Sequence, residues 1–233
     1  MDLDKIIAAV TVAVEMFCLG WYLLYQDQVG ISQSEETVKE NRRLDWRISF
    51  RNCSRQSVIT VALLSVFMII SAWIVYADVS NLLNFVKLMT LWAVIAGAAV
   101  IDMKKRIIPN VLLLAGLAVR VVIYILEYIL YPDIFRAILI SDGLGFLIGF
   151  GIFFISAVVT RGSIGFGDVK LFGLIGITTG FICTYATMLY CLLSSTVIAV
   201  ILLILKKKGR KDSIPLGPCI LIGYFLTLIL SNY

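Results

Sequence analysis

From Leu171 to Leu205 the chain runs for 35 residues without a charged side chain. One helix of that length would measure about 50 Å, well beyond the hydrocarbon core of a bilayer at roughly 30 Å. Two membrane-crossing helices with a tight turn near Gly180 fit the run better. Composition points the same way. Of 233 residues, 61% are hydrophobic and 15% charged, with a mean hydropathy of +0.99. Soluble domains carry roughly a quarter charged residues, so this chain cannot hide its apolar surface in one water-soluble core. An ordinary soluble enzyme, a disordered chain and a free nucleic-acid binder are excluded.

Apolar stretches long enough to cross a bilayer recur at about 3–25, 57–77, 82–101, 110–131 and 137–160. The pair within 171–205 follows, then a last stretch at about 214–231. The expected fold class is all-α: a polytopic membrane helix bundle of about eight transmembrane helices, forming one domain over 1–233. The first stretch does not resemble a cleavable signal peptide, because acids precede it and no small-residue cleavage site follows. The one sizeable polar segment is 26–56, which mixes six basic and five acidic residues. Leu44, Trp46, Ile48 and Phe50 within it suggest an amphipathic helix lying on the inner membrane surface.

Charge placement tests this count. With both termini outside, the inner loops hold Lys39, Arg42, Arg43, Arg47, Arg51 and Arg55, then Lys104, Lys105 and Arg106. Arg161, Lys170 and the basic cluster at 206–211 complete sixteen of the twenty basic residues. Crossing the charge-free run only once would send that cluster outward, against the positive-inside rule. The net charge of +5 thus reads as orientation and calls for no nucleic-acid partner. Small residues at Gly143, Gly145, Gly149 and Gly151, and at Gly173, Gly176 and Gly180, suit close helix contacts in lipid. Arg120 and Glu15 lie mid-span, where charges are normally paired. Arg120 can pair with Glu15 or with Glu127, and Asp142 is expected at the outer interface.

The chain has no histidine. That removes Ser-His-Asp and Cys-His catalysis, HExxH zinc sites and haem ligation by His. Cys18, Cys53, Cys183, Cys191 and Cys219 form no CxxC pair, and they read as small core residues. Two inner loops each hold an aspartate: Asp102 before Lys104-Lys105-Arg106, and Asp168 in Gly165-Phe166-Gly167-Asp168. Two carboxylates that meet can share a proton and activate water, which needs neither histidine nor metal. The glycines are expected to free the backbone and let another chain lie against the loop. Asp168 opens a helix and Asp102 ends one, so the helix dipole assigns the charge to Asp168 and the proton to Asp102.

The combination resembles the type IV prepilin peptidase family of GxGD membrane aspartyl proteases, over about residues 57–233. Three stretches carry the resemblance: Asp102 followed by Ile108-Pro109-Asn110, the run GFGDVKL at 165–171, and Pro215-Leu216-Gly217-Pro218 before the last span. The resemblance implies an endopeptidase that removes the basic leader from prepilin-like precursors at the cytoplasmic face of a bacterial inner membrane. It implies Asp102 and Asp168 as the catalytic pair, with Gly165, Gly167, Lys170 and Pro109 near the substrate. Lys170 could keep Asp168 ionised or anchor the helix at the interface. Many relatives carry paired CxxC motifs that bind zinc, and some methylate the new amino terminus with S-adenosylmethionine. The segment 26–56 offers one cysteine, Cys53. A peptidase alone is therefore expected, with no metal and no cofactor. Competing readings are a small proton-coupled transporter and a non-catalytic scaffold of a pilus or secretion assembly.

Overall fold

The computed structural model describes residues 8, 11–16, 18–20, 63–73, 81–160, 165–205 and 215–230. The segment 26–56, the basic cluster at 206–211, Arg161, Cys53 and both ends of the first expected span lie outside the described residues. Every element described is helical. In chain order these are α1 (Thr11–Gly20), α2 (Leu63–Trp73), α3 (Leu82–Lys105), α4 (Asn110–Leu130), α5 (Pro132–Val159), α6 (Phe166–Ile204) and α7 (Gly217–Leu230). Helices α3 to α6 are each long and apolar enough to cross a membrane. The architecture is an all-α bundle compatible with a polytopic membrane protein.

Helix ends follow local chemistry. α3 closes on Arg106 in the left-handed region (φ 54°), whose N–H returns to Asp102 O at 2.9 Å. Pro109 follows in extended backbone (φ −71°, ψ 129°) and caps the start of α4. α5 starts at Pro132 instead of the expected 137. Proline presets the helical φ and lacks only an N–H that the first turn leaves unpaired, so it opens the helix earlier.

The long charge-free run breaks at Gly180, at φ 75° and ψ −175°, a conformation that favours glycine. We call the two halves α6a (166–179) and α6b (181–204). The break is a reversal. A Cβ on Gly149 would meet Phe172 O at 2.5 Å and Thr184 Cγ2 at 3.1 Å. An unbroken helix would hold Phe172 and Thr184 about 18 Å apart. The turn expected near Gly180 is therefore present. α6b then runs beside α7, where Thr187 and Thr227 share a hydroxyl hydrogen bond of 3.0 Å.

α3 is the central helix: 67% of its apolar window is buried, against 28%, 22% and 17% for α4, α5 and α6. Trp92, Ile95 and Met89 on α3 are fully enclosed, and Tyr224 of α7 donates to Leu88 O at 3.0 Å. The outer helices turn large apolar side chains outward, as a bilayer permits and water does not. Cys191 and Cys219 are buried, as core cysteines should be, whereas Cys18 is exposed.

Gly145 and Gly176 bring the backbones of α5 and α6a into direct contact. Gly143 and Gly151 face open space and take no part in it. A methyl or larger group at 176 meets backbone atoms of Gly145 and Phe146, which cannot swing away. Gly176→Val should therefore destabilise the protein by at least about 1–3 kcal/mol. Gly143→Ala should leave the thermal midpoint in detergent unchanged or slightly raised. Equal midpoints for Gly176→Val and wild type would refute this packing.

Two expectations about buried charge need correction. Asp142 is not interfacial; it is 4% exposed and accepts hydrogen bonds from Arg120 and Tyr124. Arg120 does not pair with Glu15. It binds Glu127, two turns along its own helix, and Asp142, while Glu15 accepts from the Thr90 hydroxyl at 2.5 Å. The cause is the short α4–α5 turn at Tyr131. It sets Arg120 and Asp142, equally distant from it along the chain, at the same depth.

Candidate active site

Three helix ends converge at one end of the bundle. Asp102 lies in the last turn of α3, Asp168 in the first turn of α6a, and Gly217 opens α7. The Gly217 N–H donates to Asp102 Oδ2 at 2.8 Å in a buried contact. Asp102 is 7% exposed and Asp168 is half-buried. The two carboxylates lie near enough for the charge of Asp102 to act on Asp168. Asp168 Oδ1 is buried and has no hydrogen-bond partner among the described residues. Each carboxylate thus meets backbone, Asp102 at Gly217 and Asp168 at Gly165, and Asp168 in addition keeps an unpartnered Oδ1 among the described residues.

The loop between α3 and α4 closes this junction. Ile108 is buried and meets Gly167, where a Cβ would stand 2.9 Å from Ile108 Cβ. The room at Gly167 is therefore filled by the chain's own Ile108. Gly165 is different: it is exposed, and among the described residues an added Cβ would meet only Asp168 Oδ2, at 3.3 Å. Its φ of −65° is one that any residue adopts, and Gly180 is the one glycine with positive φ among the described residues. The glycines before Asp168 thus serve close approach and open space; positive φ is not involved.

Lys170 donates to Asn110 Oδ1 at 3.0 Å, tying the start of α6a to the start of α4. Its ammonium thus meets Asn110. Pro109 is half-buried at the head of α4 and shapes the loop that carries Ile108. The Asp102 loop and the Gly165–Asp168 turn are therefore locked to each other by Ile108–Gly167 and Asn110–Lys170.

Gly217 is the residue whose part was not visible beforehand. Only its place in Pro215-Leu216-Gly217-Pro218 marked it. A Cβ there would lie 2.9 Å from Ala99 Cα and 3.0 Å from Asp102 Cβ and Oδ2. Glycine alone lets α7 come that close to α3. Among the described residues no group of three or more His, Cys, Asp or Glu side chains could hold a metal ion.

Comparison with known proteins gives one match. The model of the type IV leader peptidase family fits residues 88–204. No curated protein and no solved structure matches the chain. The matched stretch spans half the chain and takes in Asp102, the loop around Ile108, Asp168 and the paired halves of α6. A chain with that stretch belongs to the type IV leader peptidase family, and its long apolar helices are those of a membrane peptidase.

Proposed function

We propose that the protein is an aspartyl endopeptidase that removes the basic leader from prepilin-like precursors at the cytoplasmic face of a bacterial inner membrane. Asp102 and Asp168 are its catalytic pair. The observation that carries the reading is the junction itself: two carboxylates from different helices, close enough to interact, with the Gly217 N–H on one of them. In this reading the chain crosses the membrane about eight times and puts its basic loops inside, so that Lys104, Lys105 and Arg106 border the site. The apolar helix of the precursor then stays in the bilayer while its leader remains in the cytoplasm.

The assignment proposed here departs from the one drawn from helix dipoles. In this mechanism Asp102, which accepts from the Gly217 N–H, acts as the base. Two neighbouring carboxylates do not both ionise readily, so Asp168 carries the shared proton. Asp102 takes a proton from water as the water oxygen attacks the scissile carbonyl. Asp168 gives its proton to that carbonyl oxygen in the tetrahedral intermediate and recovers it when the carbonyl re-forms. The proton held by Asp102 then passes to the leaving amine as the peptide bond breaks. Open space at Gly165 supports an extended substrate lying there. Ile108, Pro109, Gly167 and Lys170 shape the wall beside it.

Purified protein in detergent, mixed with a prepilin-like precursor, should yield a leader and a shortened product by mass spectrometry. An intact precursor after long incubation would overturn the reading. Added chelator should leave the rate unchanged, because the carboxylates alone activate the water. Strong inhibition that zinc reverses would show that a metal takes part.

A further inference from the structure

α5 and α6a meet through glycines, with Gly145 against Gly176 and Gly149 against Phe172. Such a contact lets backbones approach, and beside it Phe153 of α5 stacks on Phe172 of α6a with ring centroids 3.9 Å apart. At the Gly180 end one buried cluster adds directional bonds that bear on how α6a is turned.

Arg120 Nε donates to Ile177 O at 3.1 Å, in the last turn before the break, where helix carbonyls lose their intrahelical partners. Its other nitrogens bind Asp142 and Glu127. The Tyr124 hydroxyl lies 2.8 Å from Asp142 Oδ2 and 3.1 Å from Ile177 O, so its one proton serves either. The guanidinium carbon sits 3.8 Å from the centre of the Tyr124 ring. Just past the break, the Phe181 N–H reaches the hydroxyl of Ser141, the neighbour of Asp142. Lys87 of α3 meets Glu127 at 3.6 Å, so two cations balance two anions. α4 and α5 both grip α6 at its break, and α3 joins the cluster through Lys87 on Glu127. From there to Asp168, α6a is a rod about 18 Å long, which carries any twist at the gripped end to the carboxylate.

We infer that Arg120, with Asp142, Tyr124 and Glu127, is a positioning clamp that fixes the direction of α6a from Gly180 and so the spacing of Asp168 from Asp102. The inference rests on the peptidase reading of that pair. Arg120→Lys keeps the charge but loses the planar fork that holds Ile177 O and two carboxylates together. It should lower kcat by about ten- to a hundredfold with KM little changed, as small misplacements of reacting groups do. Spin labels at Met103→Cys and Phe166→Cys, both exposed sites, report the spacing of the two helix ends directly. With Cys18, Cys53 and Cys183 replaced by Ser, the label distance should shift or broaden in Arg120→Lys. Tyr124→Phe removes a single hydroxyl and should move both readouts the same way by less. It decides the matter if Arg120→Lys does not fold. An unchanged label distance, with or without a loss of kcat, overturns the clamp. If wild type cleaves no precursor, the peptidase reading fails and the label distance alone decides the clamp.

Discussion

Asp102→Asn and Asp168→Asn should each lower the rate of precursor cleavage by about a thousandfold or more, near the upper range for loss of a general acid or base. Both substitutions keep the size of the side chain, so the helix ends should stay assembled. In Asp102→Asn the Gly217 N–H still has an amide oxygen to meet, but no group remains to take a proton from water. In Asp168→Asn a donor remains for the carbonyl, but the proton shared between two carboxylates is gone. The double variant should be little worse than either single one, because the two act as a unit. Mass spectrometry of timed reactions reads all three. Activity within tenfold of wild type in either single variant would remove that aspartate from the mechanism.

The second large effect is expected at Gly217. Its added Cβ would meet the Ala99 backbone as well as Asp102, and backbone cannot swing aside. α7 must move away from α3, and the hydrogen bond of 2.8 Å to Asp102 lengthens. Gly217→Ala should lower kcat by about a hundredfold, the scale of a one-ångström misplacement, and Gly217→Val by more. α7 should still dock, because the Thr187–Thr227 and Tyr224–Leu88 bonds lie farther along it. Unchanged elution from size-exclusion chromatography would confirm the dock. Full kcat in Gly217→Ala would show that the N–H does not govern Asp102.

The differences between expectation and structure share one cause. The Gly180 turn could be anticipated because a bilayer limits helix length and a glycine lies inside the run. Two partners could be named for Arg120, Glu15 and Glu127, and of these it binds Glu127. Asp142 was misjudged because only the fold-back at Tyr131 brings it to Arg120. Gly167 was read as room for a substrate, yet that room depends on where Ile108 falls. The dipole argument for the proton used each helix alone and took no account of the Gly217 N–H, which reaches Asp102 from a third helix.

The sequence by itself determined the class of this protein and the residues able to do its chemistry. Apolar runs measured against bilayer thickness require a helical membrane bundle. The absence of histidine narrows a hydrolysis to carboxylates, Lys, Ser, Thr, Tyr or Cys, and the two motif-borne aspartates are the candidates we propose among them. Only the tertiary structure decided how those aspartates differ, which glycine makes room for which neighbour, and which charges neutralise each other in the interior. Those outcomes depend on contacts between residues far apart in the chain, such as Gly217 with Asp102, and local periodicity carries no information about them.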